Sequence, residues 1–390
     1  MTTPTTMTMT IDLGGLATLI DLLRADGWTV LGPRLVDDVV VHAPISSLDD
    51  LPRGTTDDQQ PAHYRLARRD DDAVFGYAVG PQSWKPWLYP SRELLRRSTD
   101  AGDAAQAGHD GGAAEPQPVI DAPRLALVGV RSCDLHAIGL HDAVLLGRSA
   151  VDVHYAARRE QILVVAVTCS DPGGTCFCSS MGTGPDPDSG FDLALTEIDD
   201  ASGHRFLVRV GTARGAELLE RCPANEASAT DAAAAAAVVD QAVARMGRQL
   251  DTTDLRDLLY ANADHSRWED VAQRCFACGN CTLVCPTCFC TTVTDSTSLV
   301  DGSSERWRVW DSCFTGEFTH LESGNVREST KSRYRQWATH KLAAWWDQFG
   351  SSGCVGCGRC ITWCPAAIDI TAEVAAIRAT PGVDDPDPEE

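Results

Sequence analysis

Towards the C-terminal end of this 390-residue chain, four cysteines separated by two, two and three residues and closed by a proline occur twice. The first copy is Cys275, Cys278, Cys281 and Cys285 with Pro286; the second is Cys354, Cys357, Cys360 and Cys364 with Pro365. This spacing constrains the fold more tightly than any other feature. Three thiolates two residues apart wrap one cube of iron and sulfide, while the fourth, followed by a proline that redirects the chain, reaches a second cube. The spacing therefore predicts two [4Fe-4S] clusters with crossed ligands: one on Cys275, Cys278, Cys281 and Cys364, the other on Cys354, Cys357, Cys360 and Cys285. The competing reading is a pair of four-cysteine zinc sites. Those draw two ligands from each of two Cys-x-x-Cys knuckles, which two complete quartets do not resemble.

The sixteen cysteines fit a cytosolic chain that binds metal better than a secreted one that forms disulfides. The N-terminal stretch MTTPTTMTMTIDLGG has no Lys or Arg and no apolar signal core, and no apolar run reaches spanning length, so a cytoplasmic protein is expected. A net charge of -22, made more negative by about two charges per ligated cluster, argues against nucleic acid or an anionic membrane as partner. At this length two or three domains are expected.

Residues 15–27 place Leu16, Leu19, Ile20 and Leu23 on one helical face, with Gly27 as a stop. Strand-like runs follow (WTVLGP, DVVVHAPI, HYRLARR, AVFGYAVG), and then SWKPWLYPSRELLRR, whose Trp84, Trp87 and Tyr89 read as core aromatics. Residues 1–97 form an N-terminal α/β region. The Ala-, Gly-, Asp- and Pro-rich residues 98–118 form a flexible linker.

Within an α/β domain at 119–225, two all-apolar runs, RLALVGV and QILVVAVT, each lead into a turn, the pattern of parallel strands whose functional groups gather at their carboxyl ends. Cys133 and Cys169 lie just past those ends, and Cys176 and Cys178 follow on a Gly-rich loop. These four are candidate ligands of a third [4Fe-4S] cluster; zinc and simple buried thiols remain open alternatives. Neither run is followed by a G-x-G-x-x-G fingerprint. FDLALTEI and RFLVRVG read as further strands, and Cys222 stands alone as a structural thiol.

Residues 226–262 are read as bridging helices, the Ala-rich one capped near Thr230 and Asp231. A 4Fe-4S dicluster ferredoxin-type domain spans 263–376, and an acidic tail fills 377–390. Between the quartets lie 68 residues carrying Cys288, Cys290 and Cys313, for which no fourth partner is evident. Residues 332–349 align Tyr334, Trp337, Ala338, Leu342, Trp345 and Phe349 on one helical stripe. The basic and aromatic stretch 327–346 is either a partner contact or a cover over the clusters. After Pro365, Thr371 and Glu373 mark a helix start. The fold class expected is α+β: a mixed α/β N-terminal domain followed by an all-α, alpha-helical ferredoxin-like dicluster domain.

Across about residues 60–375, the motifs SWKPWLYP, GVRSCDLHAIG, DPGGTCFCSSMGTGP, CGNCTLVCPTCFCTT, RWRVWDSCF and GCVGCGRCITWCP are long and specific. With them the chain resembles the iron-sulfur beta subunit of cytoplasmic NAD(P)-linked [NiFe] hydrogenases of the sulfhydrogenase type and, more distantly, the electron-transfer subunit of anaerobic sulfite reductase. Ser132 stands where the resemblance leads one to expect proline. The resemblance implies an electron relay between a flavoprotein binding FAD and NAD(P) and the [NiFe] hydrogenase small and large subunits, with no catalytic centre in this chain. Two other functions remain to be separated from it: electron input to a sulfite reductase, and a stand-alone thiol or disulfide oxidoreductase using Cys288, Cys290 and Cys313.

Overall fold

The computed structural model describes residues 8–78, 80–98, 118–147, 150–300 and 302–380. The linker read at 98–118 falls almost wholly outside these residues; of the tail read at 377–390, residues 377–380 are described and 377–379 belong to the last helix. The described strands are, in chain order, β1 (Thr8–Ile11), β2 (Thr29–Val36), β3 (Val39–Pro44), β4 (Thr55–Gln60), β5 (His63–Arg68), β6 (Arg92–Ser98), β7 (Leu125–Val130), β8 (Ile162–Val167), β9 (Leu193–Asp200), β10 (Gly203–Val210), β11 (Asn225–Glu226), β12 (Thr291–Thr297) and β13 (Ser304–Trp310), with a further short pair at 320–325.

Eight strands make one mixed sheet in the order β11-β1-β10-β9-β8-β7-β2-β3. Its centre, β2, β7, β8 and β9, is parallel, and its flanks are antiparallel. The two all-apolar runs become β7 and β8, buried at every residue because the sheet is covered on both faces. Successive side chains therefore part company: Ala126, Val128, Leu163, Val165 and Val167 enter one core, and Leu125, Leu127, Val130, Ile162, Val164 and Ala166 enter the other. The helix Leu13–Ala25, capped by Asp12, closes the first core with Leu16, Leu19, Ile20 and Leu23, each burial contributing about 1.5–3 kcal/mol. Trp84, Leu88, Tyr89 and Tyr155 close the second.

Some local readings change. AVFGYAVG forms no strand in its described residues, because its backbone bonds to side chains: Glu197 accepts from the amides of Val74 and Phe75 (2.6 and 2.8 Å), and Arg131 donates to the carbonyls of Phe75 and Tyr77. The Ala-rich helix, Ala229–Ala244, begins slightly earlier than read, with Ser228 and Asp231 as a capping box. The last helix, Ile370–Ala379, is capped by Asp369 rather than Thr371.

A third core gathers Trp268, Phe314, Tyr334, Trp337, Leu342 and Ile361 with cysteines of both quartets around its edge. This region is helical around the quartets, but the all-α expectation does not hold across the insertion. There β12 and β13 pair antiparallel, and β13 pairs in turn with β6 from the N-terminal half. Buried Glu93 of β6 fixes that junction by accepting from both Arg158 and Arg308. The helix running through 330–349 turns its Tyr334–Trp337–Trp345 stripe inward, so this stretch covers the cysteines.

Candidate iron-sulfur site

Both quartets are shaped the same way. Ala277 and Gly279 in the first, and Gly356 and Gly358 in the second, take left-handed backbone conformations that bend the chain around its own thiols. The amides of Ala277, Gly356 and Ile368 consequently point at the sulfurs of Cys275, Cys354 and Cys364, each at 3.4 Å. Such donors stabilise thiolate or sulfide charge.

The described structure brings Cys275, Cys278 and Cys281 to one pocket with Cys364 and Cys360. Phe276, Phe314, Tyr334, Trp337, Ile368 and Ile370 complete a lining that contains no charged side chain. Cys285 stands within electrostatic reach of Cys354, Cys357 and Cys360, and also of Cys281 in its own quartet. Burial raises the Cys354 thiol to about 12 and lifts Cys281 and Cys360 well above the usual thiol range, neighbouring cysteines adding to the effect. Crowded thiols of this kind hold their protons until a cationic metal displaces them.

The environment of Cys285 is the opposite. Lys341 Nζ donates to its sulfur at 3.2 Å and to Thr287 Oγ1 at 2.9 Å, and Lys85 Nζ donates to the carbonyls of Cys285 and Cys288 at 3.0 and 3.1 Å. Each lysine is only 5% exposed, and no ion pair with a carboxylate is formed by either among the described residues. A hydrogen bond from Cys288 and the charge of Lys341 hold the Cys285 thiol well below its ordinary value against the effect of burial. Burial pushes the pKa of the Lys85 amine down, and three carbonyls and the Trp310 ring accept it. Lys341, paired with no carboxylate among the described residues, needs an anion, and a thiolate-ligated cluster supplies one. The residues present thus fit the group that the spacing predicts.

The third set also meets. Cys133, in the first turn of the helix after β7, Cys169, just past β8, and Cys176 and Cys178 on the following loop line one pocket together with Cys357 of the second quartet. Burial lifts the Cys133 and Cys176 thiols well above the normal range and Cys178 to about 12. The second quartet is stitched onto this loop: Phe177 N donates to Gly356 O (2.8 Å), Thr183 Oγ1 to Val355 O (2.7 Å), and the hydroxyls of Thr175 and Thr362 meet at 2.6 Å.

Of the cysteines left unassigned by spacing, Cys288 lies against Cys285, and Cys290 pairs with Cys313, whose hydrogen bond lowers the Cys290 thiol to about 7. Cys222 packs in the first core and donates to Leu218 O. Among the described residues no three Cys, His, Asp or Glu side chains close around a volume fitting a single metal ion. The sequence places Lys341 beside the aromatic helical stripe and Lys85 in the mixed aromatic and basic run SWKPWLYP, but nothing local to either shows that both converge on Cys285.

Paired quartets with bent, amide-lined cysteine loops define an iron-sulfur protein, and residues 274–368 match the 4Fe-4S dicluster domain family. Over 258 residues the chain is 33% identical to sulfhydrogenase 2 subunit beta of Pyrococcus furiosus, covering 65% of this chain and 74% of that protein. The chain belongs to the family of these iron-sulfur hydrogenase beta subunits. No solved structure matches it.

Proposed function

We propose that the chain is the electron-transfer subunit of a sulfhydrogenase-like complex, passing electrons between a flavoprotein that binds FAD and NAD(P) and a [NiFe] hydrogenase catalytic subunit. The observation carrying this reading is the continuity of the three cysteine groups. Cys357 of the second quartet lines the pocket of Cys133, Cys169, Cys176 and Cys178, and Cys360 of the same quartet lines the pocket of Cys275, Cys278, Cys281 and Cys364. Ligand sets that share walls suit a conductor better than a site for substrate. The identity to a sulfhydrogenase subunit favours hydrogenase over sulfite reductase.

In this reading the clusters are ligated crosswise, by Cys275, Cys278, Cys281 and Cys364 and by Cys354, Cys357, Cys360 and Cys285, with a third cluster on Cys133, Cys169, Cys176 and Cys178. Held by these thiols, the clusters would supply one-electron transfer. The protein's own part is to fix the thiols, direct amides at their sulfurs, place Lys85 and Lys341 beside Cys285, and exclude water with Phe314, Tyr334 and Trp337. Residues 263–376 act as a dicluster unit, alpha-helical ferredoxin-like around the quartets, with β12 and β13 as an insertion. The third cluster belongs to the α/β unit at 119–225. The complex operates in the cytoplasm; no described helix is long and apolar enough to cross a membrane.

Anaerobically reconstituted chain should hold about twelve irons, falling to about eight in Cys176→Ala. Dithionite should reduce the isolated subunit, which should not oxidise H2 or NAD(P)H, and adding it back should restore H2-dependent NAD(P)+ reduction to a complex lacking it. A complex that couples the two reactions without this subunit would refute the relay.

A further inference from the structure

Lys341 sits in a π-helical turn, His340–Ala344, within the helix that covers the cysteines. Such turns disturb regular helix bonding and are found frequently at functional sites. Here the turn is built into the second quartet: Lys341 O accepts from Gly353 N (2.8 Å) and Ser352 Oγ (3.2 Å), on the loop entering Cys354. Thr287 Oγ1, which accepts from Lys341 Nζ, in turn donates to Gly353 O at 2.8 Å. The ammonium is thus held from both sides at 3.2 Å from Cys285 Sγ.

The two dicluster sites consequently differ in charge. The pocket of Cys275, Cys278, Cys281 and Cys364 is lined only by cysteines and by apolar or neutral residues. The set of Cys354, Cys357, Cys360 and Cys285 has Lys341 in hydrogen-bond contact and Lys85 on the carbonyls behind it. Arg359 also lies nearby, but its guanidinium is matched by Asp134. Among the described residues Lys341 has no such carboxylate, so its charge acts on the sulfur.

We propose that Lys341 sets the reduction potential of the cluster served by Cys285, holding it above that of the cluster in the apolar pocket, so that the Cys285 cluster is reduced first. This rests on the crossed ligation proposed above. Reduction adds one electron, and no proton, to a cluster that is already anionic. A buried cation on a ligand sulfur stabilises the reduced form more than the oxidised one, and hydrogen bonds to sulfur and local charge are established controls of such potentials. Exposure of Cys278 to solvent also favours reduction of the other cluster, but a full charge at contact distance outweighs one wetted edge. Lys341 is a positioning residue: it acts through Cys285 and touches no substrate.

The test is a potentiometric titration of the reconstituted full-length chain, followed by electron paramagnetic resonance. Cys275→Ala and Cys354→Ala assign the two dicluster signals, because those residues stand in separate quartets whether or not the fourth ligands cross. In Lys341→Met the Cys354-dependent signal should shift to lower potential while the Cys275-dependent signal stays, and Lys341→Arg should restore most of the shift. If Lys341→Met does not retain iron, Lys341→Gln, which keeps a donor without the charge, is titrated with the same expectation. Unshifted potentials for both signals in iron-replete protein overturn the role of Lys341. A shift confined to the Cys275-dependent signal instead overturns the crossed ligation.

Discussion

Arg359 and Asp134 are joined by two hydrogen bonds, 2.9 and 3.0 Å, with both side chains sealed from solvent. Arg359 lies between Cys357 and Cys360 of the second quartet, and Asp134 directly follows Cys133. One buried ion pair therefore ties the dicluster region to the helix carrying Cys133. Arg359 also donates to the carbonyls of Gly80 (3.0 Å) and Gln82 (3.2 Å), which leaves the guanidinium well satisfied.

Removing one member of this pair strands the other. Asp134→Ala should cost about 3–5 kcal/mol, because the guanidinium stays buried without its counter-charge. Replacing both, as Asp134→Leu with Arg359→Met, should recover much of that loss. Anaerobic thermal unfolding of the two variants checks the expectation; equal destabilisation would mean that the pair contributes chiefly through shape.

What could be read from the sequence tracks how local the cause was. The quartets are legible because their spacing is itself the geometry of a ligand loop, and the Cys133–Cys178 set because β7 and β8 are apolar throughout and their ends can be counted. β4 (TTDDQQ) and β6 (RELLRR) carry no apolar alternation. β4 exists through its hairpin with adjacent β5, and β6 through β13, more than 200 residues away in sequence. The environment of Cys285 was hidden for the same reason: Lys341 is 56 residues distant, and the Lys85 bond to its carbonyl spans 200.

His42 supplies a pH signature. Its ring stacks on Trp84 at 3.8 Å, and burial lowers its pKa to about 4; the charges of Arg359 and Arg131 add to that, while Asp134 and a backbone hydrogen bond with Ser83 oppose it. The folded value lies below the unfolded one of about 6.5, so below that pH the unfolded chain binds a proton that the folded chain refuses. Stability should therefore be constant in this respect above about pH 6.5 and decline by at most about 1.4 kcal/mol per unit as pH falls towards 4. Unfolding midpoints of wild type and His42→Gln between pH 5.5 and 7.5 isolate the contribution. Parallel pH profiles would remove His42 as its source.

Gly358 tests whether the second quartet must sit against the third set. Its φ is +76°, and a Cβ there would lie 2.6 Å from the carbonyl carbon, the carbonyl oxygen and Oγ1 of Thr175, just before Cys176. Backbone atoms cannot yield as a side-chain tip can, so Gly358→Ala must push the two segments apart. Gly350 is the matched control: its φ is +68°, with nothing within 4 Å of the added carbon. Gly350→Ala should cost only the left-handed backbone penalty of about 1–2 kcal/mol. Gly358→Ala carries that penalty plus the loss of contact, including strain on the 2.6 Å meeting of Thr175 and Thr362. With clusters held as proposed and iron content equal, Gly358→Ala should weaken the magnetic interaction between the proposed third cluster and the proposed Cys354 cluster and slow electron exchange between them, while Gly350→Ala leaves both unchanged. Should the two variants give the same spectra and the same exchange rate, the close seating of Gly358 on Thr175 would have no part in conduction, and electrons would have to reach the dicluster region by a route that bypasses Cys357.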